Sequence, residues 1–173
     1  MNRTEQNVKQ LVFAALLAAL ACVATLVLTV PSPTGGYMNL GDTVVLLSAY
    51  LLGPWWGAAA GGIGSMLADL FAGYAAYAPA TLLIKALMAL LAAFLYRVLG
   101  KKNASLVLCG IAAEAVMVVG YWCYDGLLMG SLPGAAVGIP SNLVQAAFGL
   151  IASTALTLAL KSSKYVRSQF PAL

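Results

Sequence analysis

The hydrophobic positions of this 173-residue chain gather into six runs, separated by short segments where glycine, proline or charge breaks the pattern. The first, Leu11 to Val30, is 20 residues long, the length at which a helix crosses the hydrocarbon core of a bilayer. Pro31 to Gly36 holds two prolines and two glycines and ends that helix, since neither residue continues one. Leu40 to Leu52 predicts a shorter second helix, with Asp42 placed as its N-cap and Gly53-Pro54 making a tight turn into the third. The third is expected from Trp55 to Tyr74, the fourth from Pro79 to Tyr96, the fifth from Ala104 to Tyr124 and the sixth from Gly138 to Leu160.

Composition turns these helices into membrane spans. The chain is 62% hydrophobic and 8% charged, with a mean hydropathy of +0.94, whereas charged residues make up about a quarter of a soluble domain. The expectation is an all-α membrane protein, one domain over residues 1–173, built as a bundle of six transmembrane helices. The first run exceeds a usual signal core, and Ala19 stands where a lipoprotein cleavage box has leucine, so it is expected to stay as a span.

Charge orients the bundle. Arg3, Lys9, Arg97, Lys101, Lys102, Lys161, Lys164 and Arg167 all fall on the side of the termini, and the three opposite loops contain no Lys or Arg. By the positive-inside rule both termini are expected to be cytoplasmic, on a chain expected in a cell membrane. The net charge of +4 comes with no basic stretch interleaved with aromatics, so no nucleic-acid partner is expected. With no histidine, serine-histidine catalysis and imidazole metal sites are excluded, and Cys22, Cys109 and Cys123 stand singly in apolar runs as buried free thiols. No catalytic residue, metal site or cofactor is expected in this chain. A phosphate-binding GxxxxGK[ST] motif is also missing, so any ATP is hydrolysed by a separate subunit.

Charges inside a span cost at least about 2.5 kcal/mol each and mark an interior site. Lys85 lies six residues below the outer end of the fourth span, a depth of about 9 Å. Glu114 is close to mid-membrane on the fifth, Asp69 is in the outer half of the third, and Asp42 is at the mouth of the second. Lys85 and Glu114 form either a structural ion pair or the wall of a polar cavity. Asn142, Gln145, Gly149 and Ser153 share one stripe of the sixth helix, and Gly110, Glu114, Tyr121 and Asp125 one stripe of the fifth. Thr81 sits one turn before Lys85. Such an outward pocket of amides, a carboxylate and an ammonium suits a small polar molecule with a flat ring. Tyr37, Tyr74, Tyr77, Tyr121, Trp122 and Tyr124 cluster at the same end, as stacking partners or as an interfacial belt, whereas Trp55 and Trp56 are expected to be inner-side anchors.

Small residues recur every fourth position: Ala14 with Ala18 and Ala15 with Ala19 on the first span, Gly53, Gly57 and Gly61 at the third. This spacing lets helices approach closely in lipid. Internal packing is expected for the glycines, and an outer face for a partner remains on the first span.

Four segments carry a family resemblance: Ala14–Leu20 (AALLAAL), Asn39–Val44 (NLGDTV), Leu51–Ala58 (LLGPWWGA) and Pro140–Gln145 (PSNLVQ). With the six runs and the length, the chain resembles the substrate-binding S components of energy-coupling factor (ECF) vitamin transporters, nearest to the riboflavin-type group. The resemblance implies a six-helix bundle with an outward vitamin pocket closed by the first outer loop, here Pro31 to Gly41. It also implies a transmembrane T component as partner and two ATPase subunits that supply the energy. Carried over by position, Tyr37, Asn39, Glu114, Trp122, Asn142 and Gln145 become pocket residues, beside Lys85 and Tyr121 from the polar stripes. Ala14, Ala15, Ala18 and Ala19 become the surface that docks onto the T component.

The short outer loops and paired amides fit one small ring, pyridoxine-like or hydroxymethylpyrimidine-like, with Glu114 at a ring nitrogen and Asn142 as amide contact. A riboflavin-specific S component, an autonomous proton-coupled transporter and a purely structural subunit stay open as alternatives. A two-aspartate membrane protease is disfavoured, because Asn39 occupies the first glycine of a GxGD motif and Asp42 and Asp125 lie at the outer surface.

Overall fold

A computed structural model describes residues 3–173; Met1, Asn2 and the Arg3 side chain lie outside what it describes. The chain is almost entirely helical. In order, the elements are α1 (Arg3–Val27), a two-stranded hairpin of β1 (Val30–Pro31) and β2 (Tyr37–Met38), α2 (Gly41–Leu52), α3 (Pro54–Phe71), α4 (Ala78–Val98), α5 (Asn103–Met129), a short α6 (Leu132–Ala135), α7 (Ile139–Ser162) and α8 (Lys164–Gln169). The strands pair antiparallel, Val30 opposite Met38 and Pro31 opposite Tyr37.

Four stretches are long and apolar enough to cross a membrane: 4–27, 78–98, 103–129 and 132–162. The other two bundle helices differ for physical reasons. Four glycines and Asp69 dilute the apolar character of α3. The 12 residues of α2 rise only about 18 Å, and every one of them is buried. A helix apolar all round belongs at the centre of a bundle, and α2 packs there against α1, α3, α4 and α7.

Glycine makes this packing close. A Cβ on Gly57 would lie 2.7 Å from the Ala49 Cα of α2, one on Gly64 2.3 Å from the Ala18 carbonyl of α1, and one on Gly62 2.9 Å from the Leu82 carbonyl of α4. The glycines of α3 are thus internal packing positions, as the sequence predicts. The turn between α2 and α3 needs Gly53 at φ 80, and Pro54 then starts the helix without a donor to lose. Gly130 closes α5 in the left-handed region, at φ 64.

Both chain ends meet at one end of the bundle. Lys9 Nζ donates to the Gln169 side-chain oxygen at 2.6 Å, Phe13 meets Phe170 edge-on at 4.8 Å between ring centroids, and Lys101 Nζ donates to the Pro171 carbonyl. At the opposite end the hairpin, the α3–α4 turn and the α5–α7 connection gather: Tyr77 lies against Gly36, and Thr34 against Gly138.

Several expected boundaries shift. The first helix stops at Val27, where the chain enters the hairpin, and the third stops at Phe71. The fifth continues to Met129, which puts Asp125 inside the helix rather than in a loop. Asp42 is not the N-cap of α2: Leu40 holds that position, Asn39 Oδ1 accepts from the Gly41 amide at 2.9 Å, and the Asp42 carboxylate turns inward. Cys22 and Cys109 are buried free thiols, but Cys123 is exposed on α5.

Candidate ligand-binding site

At the end opposite the termini, side chains from α1, α3, α4, α5 and α7 converge under the hairpin on a cavity of about 30 Å³, enough for about one water. Its lining includes Thr25 of α1, Ser65 and Asp69 of α3, Thr81 and Lys85 of α4, Tyr121 and Asp125 of α5, and Asn142 and Gln145 of α7. Ser32, Thr34, Gly36, Tyr37 and Asn39 close it from above.

The floor is one connected polar network. Lys85, 1% exposed, donates to Asp42 Oδ1, and Gln145 Nε2 donates to Asp42 Oδ2 at 2.6 Å. The other end of the Gln145 amide accepts from the Asn39 backbone N–H at 2.8 Å, which joins the hairpin's exit strand to α7. Lys85 also stands 5.2 Å from the centroid of the Tyr121 ring, and the Tyr121 hydroxyl lies 2.9 Å from Thr81 Oγ1. A buried ammonium persists only when paired in this way.

The hairpin is held down by carboxylates. The Tyr37 hydroxyl donates to Asp69 Oδ1 at 2.6 Å. Burial, with the adjacent Asp69 carboxylate, pushes the Tyr37 hydroxyl above its ordinary value and keeps it a donor. Tyr77 places its hydroxyl 2.9 Å from Asp125 Oδ1 and 3.2 Å from the Thr34 carbonyl. Ser32 Oγ lies 3.2 Å from Ser141 Oγ. The Tyr37 and Tyr74 rings stand 4.5 Å apart, Tyr74 meets Tyr77 at 6.4 Å and Tyr77 meets Tyr124 edge-on at 5.4 Å, so four of the six expected outer aromatics form one continuous layer.

Three polar atoms of the cavity wall have no partner: Thr25 Oγ1, Ser65 Oγ and Asp69 Oδ2. Their residues are 2%, 1% and 3% exposed. Unsatisfied buried polar atoms are costly and uncommon, and here the three residues that carry them line one space.

Of the residues expected from sequence, Tyr37, Asn39, Lys85, Tyr121, Asn142 and Gln145 line the cavity together. Two do not. Glu114 lies below it against α7: a Cβ on Gly149 would meet Glu114 Oε1 at 2.5 Å and Asp42 Cβ at 2.8 Å, and neither Glu114 oxygen has a hydrogen-bond partner. Lys85 pairs with Asp42, so of the two readings open for Lys85 and Glu114 the ion pair between them is not formed. Trp122 points out of the site and donates from Nε1 to the Leu132 carbonyl at 2.9 Å, tying α6 to α5. Thr25 and Ser65 were not expected in the site, since lone hydroxyls in apolar helices carry no signal; Asp69 was marked in sequence as an intramembrane charge but not named as a pocket residue.

The alanine rows of α1 also separate. Ala14 is buried and Ala18 abuts Gly64, while Ala15 and Ala19 are exposed. Among the described residues no group of three or more His, Cys, Asp or Glu side chains gathers as a metal site.

Residues 5–162 match the family described as the ECF-type riboflavin transporter, S component. The chain belongs to this family. A relative from Pyrococcus woesei, described as an uncharacterized protein in the gap 3′ region, is 37% identical over 142 residues, covering 80% of this chain and 93% of the relative. Among solved structures, the S component of a bacterial ECF transporter aligns with a TM-score of 0.68 at 22% identity, over 90% of this chain and 97% of that one. The S component for biotin from an ECF-type ABC transporter aligns with a TM-score of 0.58 at 20% identity, over 91% and 94%. At those identities the likeness is one of fold. As an S component the chain is a membrane-bound transporter subunit rather than an enzyme, and the cavity described above is its candidate substrate site.

Proposed function

We propose that this S component captures a small ring vitamin or precursor, pyridoxine-like or hydroxymethylpyrimidine-like, in the cavity beneath the hairpin. The supporting observation is that Thr25, Ser65 and Asp69, whose Oγ1, Oγ and Oδ2 atoms lack a hydrogen-bond partner, all line this one space. Asp69 Oδ2 accepts hydrogen bonds and the two hydroxyls donate or accept, which suits a ring bearing amino or hydroxyl substituents. Asn142 and Gln145 border the same space, and Tyr37 and Tyr121 offer ring faces. Glu114 acts from below, on the Asp42–Lys85 pair, rather than on a ring nitrogen. A ligand larger than one water must lift the hairpin, so Val30–Met38 is the moving part.

In this reading all six bundle helices span the plasma membrane, with both termini cytoplasmic. By sequence position every Lys and Arg except Lys85 falls in the terminal segments or at the helix ends and turns on the side of the termini, which supports that orientation. The chain binds the vitamin, and a T component with two ATPase subunits drives its release inward. The exposed Ala15–Ala19 row is the docking surface, with Ala14 and Ala18 setting the packing of α1 on α3 behind it.

Riboflavin is the second reading, favoured by the description of the matched family; it requires a wider opening of the hairpin than a single ring does. The test is to purify the chain in detergent, identify any retained small molecule by mass spectrometry and titrate the emptied protein calorimetrically with a vitamin panel. Binding of pyridoxine, pyridoxal or hydroxymethylpyrimidine supports the small-ring reading, and riboflavin binding replaces it with the second. Accumulation of substrate by the single chain under a proton gradient would establish an autonomous transporter instead.

A further inference from the structure

Buried charge in this molecule is unequally divided. Four of the chain's five acidic residues, Asp42, Asp69, Glu114 and Asp125, are at most 4% exposed, and all four lie in or directly beneath the hairpin cavity. Against them stands Lys85, the one buried cation among the described residues. Lys85 answers Asp42. Asp69 and Asp125 remain in the cavity wall, with Glu114 below it. Apolar surroundings tolerate such a surplus of carboxylate only where it meets a cation or holds a proton.

Hydrogen bonding is lopsided in the same sense. Four strong donors of the wall are already spent inside the protein: Lys85 and the Gln145 amide on Asp42, the Tyr37 hydroxyl on Asp69 Oδ1 at 2.6 Å, and the Tyr77 hydroxyl on Asp125 Oδ1 at 2.9 Å. Asp69 Oδ2 has no partner of either kind, so a bare charge there lacks a donor and a proton placed there lacks an acceptor. Thr25 Oγ1 and Ser65 Oγ, also unpartnered, belong to residues that line the same space and accept as readily as they donate.

The rings around the cavity fit a positive guest. Tyr121 already has the Lys85 ammonium 5.2 Å from its ring centroid, and Tyr37 and Tyr77 line the same space. The face of an aromatic ring is negative and attracts a cation. An uncharged ring with acceptor groups alone would leave Asp69 unanswered. A ring bearing a protonated amine or a positively charged nitrogen satisfies the carboxylate, the hydroxyls and the ring faces together.

We propose that the substrate of this site is a cation: a small ring carrying a protonated alkylamine or a positively charged ring nitrogen, its charge against Asp69, with Asp125 as the second carboxylate of the wall. The inference rests on the small-ring reading of the cavity and adds the charge of the ligand to it. The Asp42–Lys85 pair stays intact in this arrangement, so the guest neutralises the wall and the frame does not have to open.

The test compares two pairs of compounds that differ only in an amine for a hydroxyl: pyridoxamine against pyridoxine, and the aminomethyl against the hydroxymethyl form of the same aminopyrimidine. Each is titrated calorimetrically into the full chain, emptied of ligand in detergent, at neutral pH, where the alkylamine is protonated. The amine of at least one pair is expected to bind roughly 10- to 100-fold more tightly than its alcohol, the range of one hydrogen bond to a charged group. Asp69→Asn keeps an acceptor for Tyr37 and removes the charge. It should erase most of that preference while changing the affinity for the alcohol only a few-fold. The comparison on the unmutated chain decides alone if the variant fails to fold. If the ring compounds bind but neither amine is preferred, or the preference persists in folded Asp69→Asn, the cation inference falls and the small-ring reading stands. If all four compounds fail to bind, both fall, whether or not riboflavin, which is uncharged, is bound.

Discussion

Asp42 holds Lys85 with one carboxylate oxygen while the other takes the Gln145 amide, and all three side chains are buried. That pairing joins α2, α4 and α7 directly beneath the candidate substrate cavity. Through Gln145 it also reaches the Asn39 backbone and the hairpin. The ammonium that marks the site in sequence is therefore part of the frame, and the free valences lie above it, on Thr25, Ser65 and Asp69.

Breaking this pair should be expensive. Asp42→Asn takes from the buried Lys85 ammonium its hydrogen-bonded carboxylate, leaving Glu114 nearby, and is expected to cost about 3–5 kcal/mol. Asp42→Asn combined with Lys85→Met should recover most of that loss. Thermal unfolding in detergent of the two single variants and the double variant gives the coupling; additive losses would mean the pair contributes nothing as a unit.

Tyr37→Phe deletes the hydroxyl that donates to Asp69. A hydrogen bond to a charged group is worth about 1.5–3 kcal/mol, so ligand release should speed up by roughly 10- to 100-fold. Hydrogen exchange over Val30–Met38 should rise in parallel. An unchanged exchange pattern would show that the hairpin is held by its other contacts.

The two alanine rows should separate fold from assembly. Ala14→Leu with Ala18→Leu places bulk between α1 and α3 and should lower the melting temperature, in line with about 1–3 kcal/mol for overpacking. Ala15→Leu with Ala19→Leu should leave melting and substrate binding intact and abolish co-purification with the T component. Retained co-purification would move the docking surface elsewhere.

Gly64→Ala is the sharpest packing test, since its Cβ would sit 2.3 Å from the Ala18 carbonyl, a backbone atom that cannot rotate away. A loss of about 1–3 kcal/mol is expected from this one methyl group. Gly110→Ala, whose near neighbour is the flexible Leu150 side chain at 2.4 Å, should cost less. Melting curves of the two variants read the difference.

The apolar runs by themselves determined the six bundle helices, and Gly53 with Pro54 determined where the second breaks, whereas the first ends at Val27, ahead of Pro31. Charge placement determined which loops share an end, and the structure brings Lys9, Lys101 and the C-terminal tail together there. Most cavity residues were also legible, because Lys85, Asn142 and Gln145 are costly in an apolar helix and so mark its inward stripe. What the tertiary structure alone decided is who meets whom. Lys85 was free, on depth, to pair with Asp42 or Glu114, and the rotation of α2 gave it Asp42. Ala14 and Ala15 are adjacent in sequence, yet only the packing of α1 on the bundle made one of them core and the other surface. Helical periodicity assigns residues to a stripe, but the neighbour that a stripe faces depends on helix positions set by the packing of the whole bundle.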